Sequence, residues 1–198
     1  PGYYGFLDVM AEDIRRMPEL GMSGFVSCQV LRSYYPHGYP MYAHAKLLWN
    51  PKADTAELAR EYFAGAFGED GAQVRQYAER LSELFAPLYL DRETLWGKDG
   101  EGKQAALAKL AQIPEAIAAF KPVIASHLST GDPAQRQSWK YLSSHSDFVL
   151  KLAAAVQTRA KAGKEAADVH WKALWQHMAE QEAETDAVFD IYWFVDRY

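Results

Sequence analysis

The chain reads as mainly α, a C-terminal helical bundle preceded by a short helix–strand–helix unit of the kind that builds an α/β barrel. Three observations carry that reading. Beyond Asp70 the apolar residues recur almost everywhere at three- and four-residue spacing, the period of an amphipathic helix. A single short apolar run, residues 24–30, has no tight hairpin on either side and reads as a parallel strand buried on both faces, in need of neighbours. Between these regimes the stretch MYAHAKLLWNPKADTAE, residues 41–57, joins an aromatic-rich helix to a capped second one through a stiff Asn-Pro turn. That turn divides an N-terminal part, residues 1–50, from a helical domain, residues 51–198. The chain is expected to be the tail end of a larger enzyme.

In the first part, Leu7, Met10, Ile14, Met17 and Leu20 line one helix face, and Pro18 interrupts the last turn. Gly21 is placed to end that helix with positive φ, and the strand follows. Residues 31–40 carry Arg32, Tyr34, Tyr35, His37 and Tyr39 around Pro36, so they form an ordered loop with polar tips. Loops after parallel strands are where sites sit. Residues 41–49 are helical, with Ala43, Leu47 and Leu48 turned inward and Asn50-Pro51 as the stop.

Asp54 and Glu57 then form a capping-box pattern, and Leu58, Tyr62, Phe63 and Phe67 carry a helix to Gly68. Val74, Tyr77, Ala78, Leu81, Leu84, Phe85 and Leu88 give the next stripe, which Pro87 kinks or shortens. After a glycine-rich loop at 96–102, the stripe from Ala106 to Ile124 is segmented by Pro114 and Pro122. Asp132-Pro133 supplies a cap and a first-turn proline for a long helix through Trp139, Leu142, Val149, Leu152, Ala153 and Val156, which Gly163 stops. A last helix, from Glu165 to about Phe194, uses Val169, Leu174, Trp175, Met178, Val188, Ile191 and Tyr192. Four long helices with short connections predict an up-and-down bundle. No motif recurs at a fixed period, which argues against a solenoid.

Composition narrows the function classes. With 49% hydrophobic and 14% aromatic residues over 198 positions, the chain can bury a real core. A net charge of -5, with both signs interspersed and no basic block, makes nucleic acid a poor partner. No apolar run reaches the ~20 residues needed to span a bilayer, so no membrane partner is expected. The lone Cys28 cannot form an internal disulfide and reads as a small buried residue, and no spacing of His and Cys suggests a metal. No cofactor motif occurs, whether phosphate loop, Rossmann fingerprint or metalloprotease helix, and there is no nucleophile elbow. The compartment stays open.

Glycoside hydrolysis needs two carboxyl groups roughly 5–10 Å apart. Asp8, Glu12 and Asp13 are the nearest approach to such a group, but acidic residues at a solvated helix start explain them, and Glu180, Glu182, Glu184 and Asp186 read as a solvated face. No catalytic residue is assigned. Two readings stand for the tyrosines at 3, 4, 34, 35 and 39 with His37: faces on which sugar rings stack, or side chains packed under a loop with hydroxyls at its rim. His44, His127, His145, His170 and His177 read as capped or surface histidines.

The order DVMAEDIRRMPELGMSGFVSCQV (residues 8–30), AKLLWNPKAD (45–54) and AGAFGEDGAQVRQYAERL (64–81) resembles the C-terminal part of a bacterial family called domain of unknown function 4838. The specific piece is KLLWNPKAD at 46–54, followed by the Gly68 turn. That resemblance implies a glycoside-hydrolase-like protein, distantly similar to family 20 hexosaminidases and α-glucuronidases. Residues 8–29 would be the last helix–strand unit of a (β/α)8 barrel and residues 41–49 its closing helix, with the catalytic acids on earlier strands that this chain lacks. The chain alone would then be inactive. Gln29, at the end of the strand, is the residue the resemblance carries over as a substrate contact; with Arg32, Tyr34, Tyr35 and His37 it makes up the expected substrate-binding set. The partner is a carbohydrate, met through the parent protein. The alternative is a non-catalytic scaffold or dimerisation module, forming a homo-oligomer through an apolar seam.

Overall fold

The computed structural model of the chain describes residues 6–26, 32 and 34–195. It is helical almost throughout, with no strand among the described residues. Helix α1 (Phe6–Arg16) runs into a 3-10 turn (Met17–Leu20), and Gly21, at φ 72°, closes it in the left-handed region as expected. Residues 27–31 of the expected strand and its loop, Cys28 and Gln29 among them, lie outside the described residues. The described start of the strand is not buried: Val26 is 99% exposed, and Phe25, 45% exposed, meets the edge of His44 at 5.3 Å between ring centroids. Nothing among the described residues pairs with it.

Helix α2 (Tyr39–Trp49) has Pro40 in its first turn, and α3 (Thr55–Phe67) starts at Asp54, whose carboxylate accepts from the Ala56 N–H at 2.8 Å. The capping box is only half made, because Glu57 binds Arg60 rather than reaching back. Leu48 is turned outward, contrary to expectation. Ala43 and Leu47, four residues apart, share the inner face of α2, and the next position is rotated off it. Together with α1 they enclose a small satellite core of Ala11, Ile14, Leu47 and Leu58.

The main core is built mostly from residues 59–191, and Leu7, Tyr39 and Ala43 join it from the first fifty positions. Helix α4 (Gly71–Leu90) accommodates Pro87 within its last turn, and α5 (Arg92–Trp96) follows on the Asp91 cap. The stripe resolves into α6 (Glu101–Leu110) and α7 (Ile113–His127), with the break placed just ahead of Pro114, where a missing N–H costs nothing, while Pro122, expected to break it again, lies inside α7. Helix α8 (Pro133–Ala162) is the spine, and α9 (Lys164–Thr185) packs back along it after Gly163. Trp139 of α8 is fully buried, donates its indole N–H to the Phe67 carbonyl at 3.2 Å and stacks on His127, which is itself 2.7 Å from the Asp70 carboxylate. That knot fixes α3, α7 and α8 together. Gly71 permits the tight passage from α3 to α4, since a Cβ there would stand 2.2 Å from the Phe63 carbonyl oxygen.

Two expectations for the last helix fail. It ends at Thr185, whose carbonyl accepts from both Val188 and Phe189, and a separate short helix α10 (Ile191–Val195) follows. Its inner stripe is Ala167, Trp171, Leu174 and Met178, so Val169 and Trp175 face outward. Size misleads here; an alanine holds the core position that the register demands.

Candidate functional site

The loop before α2 is shaped by what it touches. Arg32, a non-glycine residue at φ 58°, points its guanidinium at Asp190 (3.2 Å) and the Asp186 carbonyl (3.4 Å), so the turn after α9 holds it. The Tyr34 N–H donates to the Val188 carbonyl at 3.0 Å. The Tyr35 ring stacks on Phe189 at 4.9 Å and meets the edge of His145, while its hydroxyl lies 3.0 Å from the Ser144 hydroxyl. Burial pushes the Tyr35 phenol above the ordinary tyrosine range. Further on, the Gly38 N–H donates to the Tyr62 hydroxyl at 2.7 Å and the Tyr39 hydroxyl to the Thr55 carbonyl at 3.1 Å. Six hydrogen bonds and a stacked pair thus fasten residues 32–39 to α3, α8 and the 186–190 turn.

Beside this clamp opens a pocket of about 410 Å³, within the ~300–1,000 Å³ typical of small-molecule sites. Tyr34 and His37 line it from the loop, Tyr42 from α2, Tyr62 from α3, and Ser138 and Tyr141 from α8. Of the expected substrate-binding residues, the structure therefore brings Tyr34 and His37 to one cavity. Arg32 and Tyr35 are directed instead into contacts that hold the loop, and Gln29 lies outside the described residues. Tyr42, Tyr62, Ser138 and Tyr141 were not foreseen as site residues. They sit on three different helices, and no spacing along the chain announces that these meet.

Among the described residues the pocket's lining carries no Arg, Lys, Asp or Glu. Burial lowers the His37 imidazole to about 4, so it carries no charge at neutral pH, and its Nδ1 makes no hydrogen bond. Tyr62 is raised by burial, although the Gly38 N–H it accepts acts in the opposite direction. Gly38 lets the Tyr34 ring lie close, since a Cβ there would come within 2.9 Å of that ring. His145, expected to be capped or at the surface, is buried behind Tyr35 with neither ring nitrogen bonded, and burial holds it well below its ordinary value. Asp8, Glu12 and Asp13 are exposed on α1. Among the described residues no group of three or more His, Cys, Asp or Glu is arranged to hold a metal ion, and no helix is long and apolar enough to cross a membrane.

No curated protein and no solved structure matches the chain. Residues 3–79, which take in the clamped loop, α1 to α3 and the start of α4, match the family described as a domain of unknown function, DUF4838.

Proposed function

We propose that the chain is the C-terminal part of a glycoside-hydrolase-like, carbohydrate-active protein. Residues 1–50 close a barrel of the (β/α)8 type, and the helical domain supports that barrel and holds one wall of the substrate cleft. The clamp on residues 32–39 is the observation that carries this reading. A loop that follows a barrel strand is the usual site-bearing element, and here the helical domain fixes it through Arg32–Asp190, Tyr34–Val188 and Tyr35–Ser144. The apolar surface supports the barrel half. Phe6, Val9, Leu20, Met22, Phe25, Val26, Leu48 and Trp49 are all exposed within the first fifty residues, as a segment built to lie against further chain would be.

The test is an assay of the intact parent protein on a panel of aryl glycosides, with and without Tyr34→Ala. Turnover that falls at least several-fold in the variant is the expected result. Failure to cleave any glycoside removes the enzyme reading, and equal activity in both removes the loop from the cleft. The same exposed side chains also suit a non-catalytic scaffold that pairs two copies. Sedimentation of the 198-residue chain decides: a mass that doubles with concentration and reverts in Trp49→Ala favours the scaffold.

A further inference from the structure

We infer that the pocket beneath Tyr34 is a subsite for one neutral, hydroxyl-bearing sugar ring and discriminates against rings that carry a carboxylate. This assignment rests on the carbohydrate reading above and adds the charge class of the ligand. Three features lead to it.

The first is shape and surface. Tyr34, Tyr42, Tyr62 and Tyr141 wall an open cavity of about 410 Å³, which offers aromatic faces to the C–H side of a pyranose and room for little more than one or two rings.

The second is the polar complement. The Tyr62 hydroxyl already accepts the Gly38 N–H, so its own proton remains to be donated. The Ser138 hydroxyl donates to the Ala134 carbonyl and keeps its lone pairs for accepting. A wall that both donates and accepts, without formal charge, matches the hydroxyl group, which does the same.

The third is the missing counter-charge. Among the described residues no Arg, Lys, Asp or Glu lines the cavity. Two cations close to the loop are already engaged: Lys46 lies over the Tyr42 ring and pairs with Glu61 at 3.7 Å, and Arg32 pairs with Asp190. His37, the one histidine among the described wall residues, is neutral at pH 7. A carboxylate placed here would lose water and gain no ion partner, an unfavourable exchange.

The experiment is a titration of the full 198-residue chain, followed by amide chemical shifts, with methyl β-glucopyranoside and with methyl β-glucuronide, which differ only in the oxidation state of one carbon. Saturable shifts confined to the Tyr34, Tyr62 and Tyr141 neighbourhoods with the glucoside are expected, the glucuronide binding about 10-fold more weakly or worse. Tyr34→Ala removes a stacking face, and Gly38→Ala pushes the Tyr34 ring aside without backbone strain; each should weaken the glucoside several-fold while the melting temperature holds. Between pH 5.5 and 8 the glucoside affinity should stay flat, because the wall changes no charge there. The assignment is overturned by equal or tighter binding of the glucuronide, by glucoside binding that both variants leave intact, or by no binding of either sugar. A parent that cleaves aryl glycosides while this pocket takes no neutral ring sinks the subsite and leaves the cleft reading standing. Neutral-sugar binding in a parent without hydrolase activity does the reverse.

Discussion

The two tryptophans that end α2 and begin the buried stretch of α8 have opposite fates: Trp49 is 91% exposed and Trp139 is 1% exposed. The contrast extends to the regions around them. Among the described residues, the first fifty positions bury six apolar side chains and expose nine large ones, whereas the remainder buries thirty-one and exposes three. Both regions are rich in apolar residues, so composition does not separate them; completeness of the packing does. The helical domain closes a core around α8 that stability can rest on. The N-terminal part packs Ala11, Ile14 and Leu47 against Leu58 of α3 in a small second core and turns most of its other large apolar side chains outward.

The sharpest way to break this comparison is to truncate each tryptophan in turn. Trp139→Ala should cost about 3–5 kcal/mol, measured by urea unfolding, because it leaves a cavity and also strands the Phe67 carbonyl. A loss under about 1 kcal/mol would mean that the domain is not organised around this knot.

Acid is the next largest perturbation. His37 and His145 have folded-state values below their unfolded value of 6.5, chiefly through desolvation, with His37 at about 4. The unfolded chain therefore takes up protons first as pH falls below 6.5, and stability is present above that value and drains away down to about 4. The Tyr35 and Phe148 rings face His145, and after burial the amino-terminal cation and then His37 act against an imidazolium there. A thermal melt should drop by several degrees from pH 7 to pH 5, and His145→Phe should flatten that slope. A melting temperature independent of pH would show that both rings reach water.

Smaller effects test the joints. Asp132→Ala removes the cap on the Ala134 N–H at the start of α8 and should cost about 1 kcal/mol. Arg32→Ala breaks a half-exposed pair with Asp190 and should cost less than about 1 kcal/mol globally, yet it should speed amide exchange at Tyr34. Unchanged exchange there would remove Arg32 from the clamp. At the bottom of the scale, Trp49→Ala should shift the stability of the chain by no more than about 0.5 kcal/mol while raising its solubility.

Much of the fold was legible along the chain, and the reasons are local. Gly21, Asp54, Asp132-Pro133 and Gly163 each act within one turn of themselves, so residue type alone announces the boundary. The family resemblance was legible too, in KLLWNPKAD and the Gly68 turn. What depends on distant partners was not. The stripe of α9 was misread because Trp175 looks like core and Ala167 does not, and only the facing surface of α8 decides between them. The halt at Thr185 was hidden because the turn is made by its backbone carbonyl, which every residue has. In the pocket, Tyr34 and His37 were visible as part of an aromatic loop, whereas Tyr62 and Tyr141 became its walls only through the packing of α3 against α8.

The clamp also bears on how the polypeptide can be divided in the laboratory. Although Asn50-Pro51 looks like a hinge on paper, Tyr35, Tyr39 and Ala43 pack into or against the main core, and Arg32 grips a turn some 154 to 158 positions downstream. An expression boundary set at Pro51 would tear those side chains out of the domain, and one set before Asp186 would free the other end. A soluble recombinant product should therefore begin ahead of α1, whose Leu7 joins the main core and whose Ala11 and Ile14 pack on Leu47 and Leu58, and run past Asp190.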